Sequence, residues 1–236
     1  MNDFEKLITC PLPTPARPLL GLTILVVEDS RYASEAMRLL CLRSGARIRR
    51  ADCLRSARKH LQVYSPNVVI VDMGLPDGSG KELLAELSSV TDPKPILLAT
   101  SGDKEAAQDA QKAGAVGFLP KPVSNLAFFQ SFILAHLPSD HLPRGPRPVS
   151  AEEIMPDELA LHDDFAQIEN TLSHSADKDT LEYLANFLAG LAQSAQDPSL
   201  AKAAEALTRN DGQPRNNDII QISTLLRKRR QAQRAI

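Results

Sequence analysis

The chain has 236 residues, 43% of them hydrophobic and 24% charged, with a formal net charge of -2. Those values suit one or two ordinary globular domains, and no apolar run approaches the roughly 20 residues of a membrane span. Residues 1–149 carry 18 Lys and Arg against 15 Asp and Glu, and residues 150–236 carry 9 against 14, so neither half is a basic nucleic-acid surface in bulk.

The first ten residues, MNDFEKLITC, include Asp3 and Glu5 and lack the basic-then-apolar order of a signal peptide, which points to a cytoplasmic protein. Cys10, Cys41 and Cys53 have neither metal-site nor disulfide spacing and read as small reduced core residues. Residues 1–21 hold Pro11, Pro13, Pro15 and Pro18, the composition of a loose, extended arm. LTILVVEDS is an apolar strand that ends on Glu28 and Asp29, with Ser30 placed to cap a helix. That helix, RYASEAMRLLCLRS, lines up Ala33, Ala36, Met37, Leu40 and Cys41 and stops at Gly45. ARIRRA alternates and suits an outer strand. CLRSARKHLQVYSP is a second helix stopped by Pro66, and NVVIVD is a fully apolar strand that ends on Asp72. SGKELLAELSSV, PKPILLATSG, DKEAAQDAQKAG, AVGFLPKP and SNLAFFQSFILAHL complete five strand–helix units, with Ser124 a candidate cap for the last helix.

Strands alternating with helices of this length predict an α/β fold with a five-stranded, doubly wound parallel sheet over residues 22–137. Residues 138–150, PSDHLPRGPRPVS, read as a linker. Residues 151–236 read as an all-α region of amphipathic helices. Ser150 and Glu153 offer a capping box, and Leu159, Phe165, Ile168 and Leu172 recur at helical spacing. The last helix carries Ile219, Ile222 and Leu226 and then the basic run RKRRQAQR.

In parallel sheets ligands sit at the carboxyl ends of the strands. Glu28 and Asp29, Asp72, Thr100 and Ser101, and Lys121 all fall there. Three converging carboxylates repel one another, and a divalent cation with oxygen ligands, Mg2+, relieves the repulsion. With Lys121 adding a second positive charge, one aspartate is equipped to accept a phosphoryl group in line. A nearby hydroxyl, Thr100, is placed to hydrogen-bond the new phosphoryl oxygens.

VVEDS, VDMGLPDGSG, LLATSG and GAVGFLPKPV, in this order and spacing, resemble the receiver domain of two-component response regulators, a flavodoxin-like fold. The resemblance covers about half the chain. It implies Asp72 as phosphoacceptor, Asp29 as direct Mg2+ ligand, Glu28 as the acid holding Mg2+ through water, and the Gly74 carbonyl as a further ligand. It implies Lys121 as the site lysine, Pro122 as the proline after it, Thr100 as the switch hydroxyl and Phe118 as the switch aromatic. Counting back from Lys121 by the family interval lands on Ala99, whereas strand register favours Thr100; with Ala99 in that place, Ser101 takes over or the switch weakens. The implied function is that of a signalling protein rather than an enzyme. It is phosphorylated by a sensor histidine kinase or histidine phosphotransfer protein and switches a protein-interaction output through the face of the fourth and fifth helices. The output protein is unnamed by the sequence, and a second copy of the chain is a candidate partner. Two alternatives stay open: a DNA-binding regulator using the basic C-terminal helix, which the net charge of that half disfavours, and a phosphorelay intermediate using His162.

Overall fold

The computed structural model describes residues 12–89, 94–174, 177–208 and 216–232. Cys10, Pro11, the first proline before the fourth strand (Pro93) and the last two residues of the basic run, Gln233 and Arg234, lie outside the described residues.

Five parallel strands form one sheet: β1 (Thr23–Val27), β2 (Arg47–Ala51), β3 (Val68–Asp72), β4 (Ile96–Ser101) and β5 (Gly117–Pro120), in the order β2-β1-β3-β4-β5. Helices α1 (Arg31–Ser44), α2 (Leu54–Val63), α3 (Gly80–Ser88), α4 (Ala106–Lys112) and α5 (Leu126–Leu134) follow the strands in turn. The alternation of a strand sends successive side chains to opposite faces, and each face has its own core. Ile24, Val26, Val68, Ile70 and Leu98 pack with Met37, Leu40, Phe129 and Ile133 of α1 and α5. Leu25, Val27, Val69, Val71 and Leu97 pack with Leu54, Leu83, Leu84 and Ala110 of α2, α3 and α4. β3 is buried at all five positions because it is covered on both faces and flanked by β1 and β4, whereas β2, at the edge, is mostly exposed.

Local chemistry sets the helix ends near the site. Ser30 accepts from Ala33 N and caps α1, and Gly45 closes it at φ 88°. Asp77, in the loop after β3, accepts from Leu54 N (2.7 Å) and Arg55 N (2.9 Å) and so caps α2 from a distance. Ser79 and Glu82 form a capping box on α3. Gly80 is needed at that helix start, since a Cβ there would stand 2.1 Å from the Asp72 carbonyl oxygen.

Four further helices, α6 (Glu158–His174), α7 (Lys178–Ser194), α8 (Pro198–Leu207) and α9 (Asn216–Ala232), make a second core from Phe165, Ile168, Leu184, Leu188, Leu200 and Leu226. Tyr32 of α1 belongs to the same cluster, so this bundle is packed onto the sheet domain. The deepest contact is Asp164, fully buried in α6. It accepts from Ser30 Oγ (2.8 Å), Arg31 N (2.8 Å) and Tyr32 N (3.0 Å), satisfying the free N–H groups at the start of α1.

Several local expectations change. The arm is not loose throughout: Leu19 is fully buried, and its N–H donates to Ser44 O at the end of α1. Asn125, not Ser124, caps α5 by accepting from Phe128 N. Ser150 and Glu153 form no capping box. Glu153 instead accepts from Ser124 Oγ and Asn125 Nδ2, and the stretch around it pairs with the loop after β5 and buries Ile154. Leu159 is 66% exposed, because the buried stripe of α6 runs through Phe165, Ile168 and Leu172, with Leu161 partly buried beside it.

Replacing Asp164 with Ala leaves a buried hydroxyl and two backbone N–H groups without their acceptor. Asp164→Ala is expected to lower stability by about 1–3 kcal/mol, read as a lower urea midpoint at pH 7, with Asp164→Asn recovering part of the loss.

Candidate functional site

The residues singled out in the sequence meet at the carboxyl edge of the sheet. β1 delivers Glu28 and Asp29, β3 ends on Asp72, and the loop after β5 brings back Lys121; all four are buried. One oxygen from each of the three acids lies within 4.8 Å of the others. Lys121 Nζ donates to Asp72 Oδ2 (2.7 Å) and to Glu28 Oε1 (3.0 Å). Glu28 Oε2 lies 2.8 Å from the same nitrogen yet is left without a hydrogen bond. Asp72 Oδ1 accepts from Gly74 N at 3.3 Å, and Glu28 Oε1 also accepts from Ser30 N at 3.2 Å.

One ammonium does not offset three carboxylates. Burial, reinforced by Asp72, raises the Glu28 carboxyl well above its ordinary range. The same two causes, burial first, push Asp29 up to about 7, against a hydrogen bond from Tyr183 that favours the anion. Burial works against the Lys121 ammonium, but Asp72 and Glu28 outweigh it and hold the lysine protonated.

Asp72 lies beside Thr100, and Val71 beside Ala99. The Thr100 hydroxyl is fully buried and donates to Leu119 O at 2.8 Å, so it is turned toward β5, while Ser101 faces the cleft in front of Asp72. Phe118 is half-buried beside Ala99 and packs on the α2–α3–α4 side of the sheet. The Lys121–Pro122 peptide bond is cis.

That cleft, about 880 Å³, is roofed by α7, which contributes Asn186, Gly190 and Gln193. Tyr183 of the same helix donates its hydroxyl to Asp29 Oδ2 at 2.7 Å. His162 is not part of this assembly; it is half-buried against Phe165 in α6. The basic end of α9 is tied down as well: Arg227 and Arg230 pair with Glu169, and Arg229 pairs with Asp197.

Residues 24–132 match the response regulator receiver domain. A Pseudomonas aeruginosa protein titled "Putative transcriptional regulator" is 30% identical over 171 residues, covering 69% of this chain and 76% of that protein. The chain belongs to the response regulator family.

A match spanning 69% of the regulator cannot end inside residues 1–137, so the likeness to the P. aeruginosa protein runs into the helical region. The Escherichia coli KDP operon transcriptional regulatory protein KdpE is 29% identical over 99 residues, covering 42% of this chain and 44% of KdpE. The E. coli transcriptional regulatory protein DpiA is 31% identical over 106 residues, covering 44% of this chain and 47% of DpiA. The chain thus spans less than half the length of KdpE and of DpiA. The solved receiver domain of NtrX from Brucella abortus is 28% identical, covering 42% of this chain and 85% of that one, with a TM-score of 0.39. No helix among the described residues is long and apolar enough to cross a membrane.

Sequence reasoning missed Tyr183 and Asp164. Asp164 left a trace, since it is an acid inside the apolar stripe of α6. Tyr183 left none, because one tyrosine on an amphipathic helix is ordinary.

The raised carboxyls fix a sign for the pH dependence. A carboxyl whose folded pKa is raised binds its proton more tightly folded than unfolded, so its contribution to stability is lost as pH rises through the folded value. Asp29 goes from 3.8 to about 7 and Asp164 from 3.8 to about 6, the latter through burial opposed by its hydrogen bonds. The metal-free regulator is therefore expected to unfold at a lower temperature at pH 8 than at pH 5, as calorimetric scans in a chelating buffer would register. A midpoint that rises over that interval contradicts the assignment.

Proposed function

We propose that the regulator accepts a phosphoryl group on Asp72 from a phosphohistidine of a sensor histidine kinase or histidine phosphotransfer protein, and that the helical region carries the output. The observation that supports this most is the 2.7 Å contact between Lys121 Nζ and Asp72 Oδ2 inside a ring of acids. The donor set is all oxygen, three carboxylates converge on one point, and two of them have raised pKa values, which together fit a hard divalent cation such as Mg2+. Glu28, Asp29, Asp72 and the Gly74 carbonyl are the residues that would hold it. When bound, Mg2+ supplies positive charge to the oxygens of the transferring group.

The remaining work belongs to the side chains. Lys121 offsets charge on one side of Asp72. An Asp72 oxygen attacks phosphorus; the P–O bond forms as the P–N bond to imidazole breaks, and the imidazole takes up a proton as it leaves. Water later attacks the same phosphorus, releasing inorganic phosphate and restoring the carboxylate. The chain performs these steps on itself and turns over no separate substrate. The buried Thr100 hydroxyl, now held by Leu119 O, would swing to the phosphoryl oxygens, and Phe118 on the adjoining strand would follow. Output through DNA is the weaker reading, because Arg227, Arg229 and Arg230 are already paired with acids of the bundle.

With Mg2+ present, phosphoramidate is expected to label the wild-type chain with a base-labile phosphate that a phosphate-affinity gel resolves. Asp72→Asn abolishes the label, and Thr100→Ala keeps it. Labelling that survives Asp72→Asn would move the acceptor elsewhere.

A further inference from the structure

The Tyr183 hydroxyl is a fixed donor. Its ring lies near Phe187, at 5.9 Å between centroids, and packs against the bundle core. Its acceptor is Asp29 Oδ2, at 2.7 Å. A carboxylate has two oxygens and about four lone-pair sites. With Tyr183 on Oδ2, the carboxylate keeps lone-pair sites for a cation, and one Asp29 oxygen lies within 4.8 Å of oxygens of Glu28 and Asp72. Hydrogen bonds of this outer kind orient metal-ligating carboxylates and contribute to affinity.

The bundle that carries Tyr183 is seated at a defined place on the receiver. Asp164 caps α1 two residues beyond Asp29, Arg31 pairs with Asp163 at 2.8 Å, and Gly190 passes close enough that a Cβ there would lie 3.7 Å from Lys121 Nζ. The Tyr183 bond is therefore a consequence of a large docked surface, and docking places the hydroxyl.

We propose that Tyr183 is a positioning residue for the divalent cation, so that the helical region completes the receiver's metal site from outside and docking of α7 and cation binding reinforce each other. The proposal rests on the acceptor-site reading above. Coupling of two binding events is reciprocal: a docked α7 tightens the cation, and the cation tightens α7. The helical region thereby senses occupancy of the acidic site through Asp29 directly, at the mouth of the site rather than through the face of α4 and α5.

The test uses the full chain and Mn2+ followed by electron paramagnetic resonance, with Mg2+ for hydrogen exchange. Tyr183→Phe keeps the ring and removes the donor. It is expected to weaken Mn2+ binding roughly 10- to 100-fold while retaining the wild-type circular dichroism. In the wild type, Mg2+ slows amide exchange across residues 178–194, and this measurement decides the matter alone if Tyr183→Phe fails to fold. Equal Mn2+ affinity in wild type and Tyr183→Phe, or unchanged or faster exchange of α7 with Mg2+, overturns the inference and leaves the acceptor reading standing. A wild type that binds no Mn2+ overturns both.

Discussion

A single ammonium, Lys121, stands among three buried carboxylates, and this shortfall of positive charge organises the regulator. Taking carboxylates out of water is costly unless each is paired. Lys121 reaches two of them, Glu28 and Asp72, and Tyr183 reaches the third. What is left over is negative potential aimed at one point, in front of the carboxyl ends of β1 and β3. The sheet topology makes this arrangement: β3 lies between β1 and β4, so Asp72 has Glu28 and Asp29 on one side and Thr100 on the other.

The backbone around the site is held firmly. The loop after Asp72 is fastened through Asp77 to α2 and through Ser79 to α3, and Gly80 lets α3 start against the Asp72 carbonyl. On the other side, α1 begins under two caps, its own Ser30 and the imported Asp164. Groups with rigid supports respond to added charge by discrete changes of partner rather than by drift. Two such groups stand at the site: Thr100, bonded to Leu119 O, and the helical region, bonded to Asp29 through Tyr183.

The receiver half was legible in the sequence because its elements announce themselves. Continuous apolar strands stop on Glu28–Asp29 and Asp72, a capping residue stands before α1, and the order of the four motifs brings the acids and Lys121 to one edge. The strand register that sets Thr100 beside Asp72 was also legible. The rest depended on information that a linear pattern does not hold. Helical periodicity showed that α6 to α9 would pack, but not that they would pack on α1. It also misassigned Leu159, one position off the buried stripe. The caps at Asn125 and Asp77, and the pairing of Glu153 with Ser124 and Asn125, were hidden because a side chain's partner across tens of residues is chosen by tertiary contact.

The central claim is that the site is short of positive charge and that a divalent cation makes up the difference. Asp29→Asn tests it most directly, since the amide oxygen still accepts from Tyr183 while one negative charge disappears. Thermal unfolding at pH 8 should show the metal-free variant melting above the metal-free wild type, and Mg2+ should raise the midpoint of the wild type but not of the variant. A variant that melts below the wild type without metal, or one that keeps the full Mg2+ response, contradicts the account.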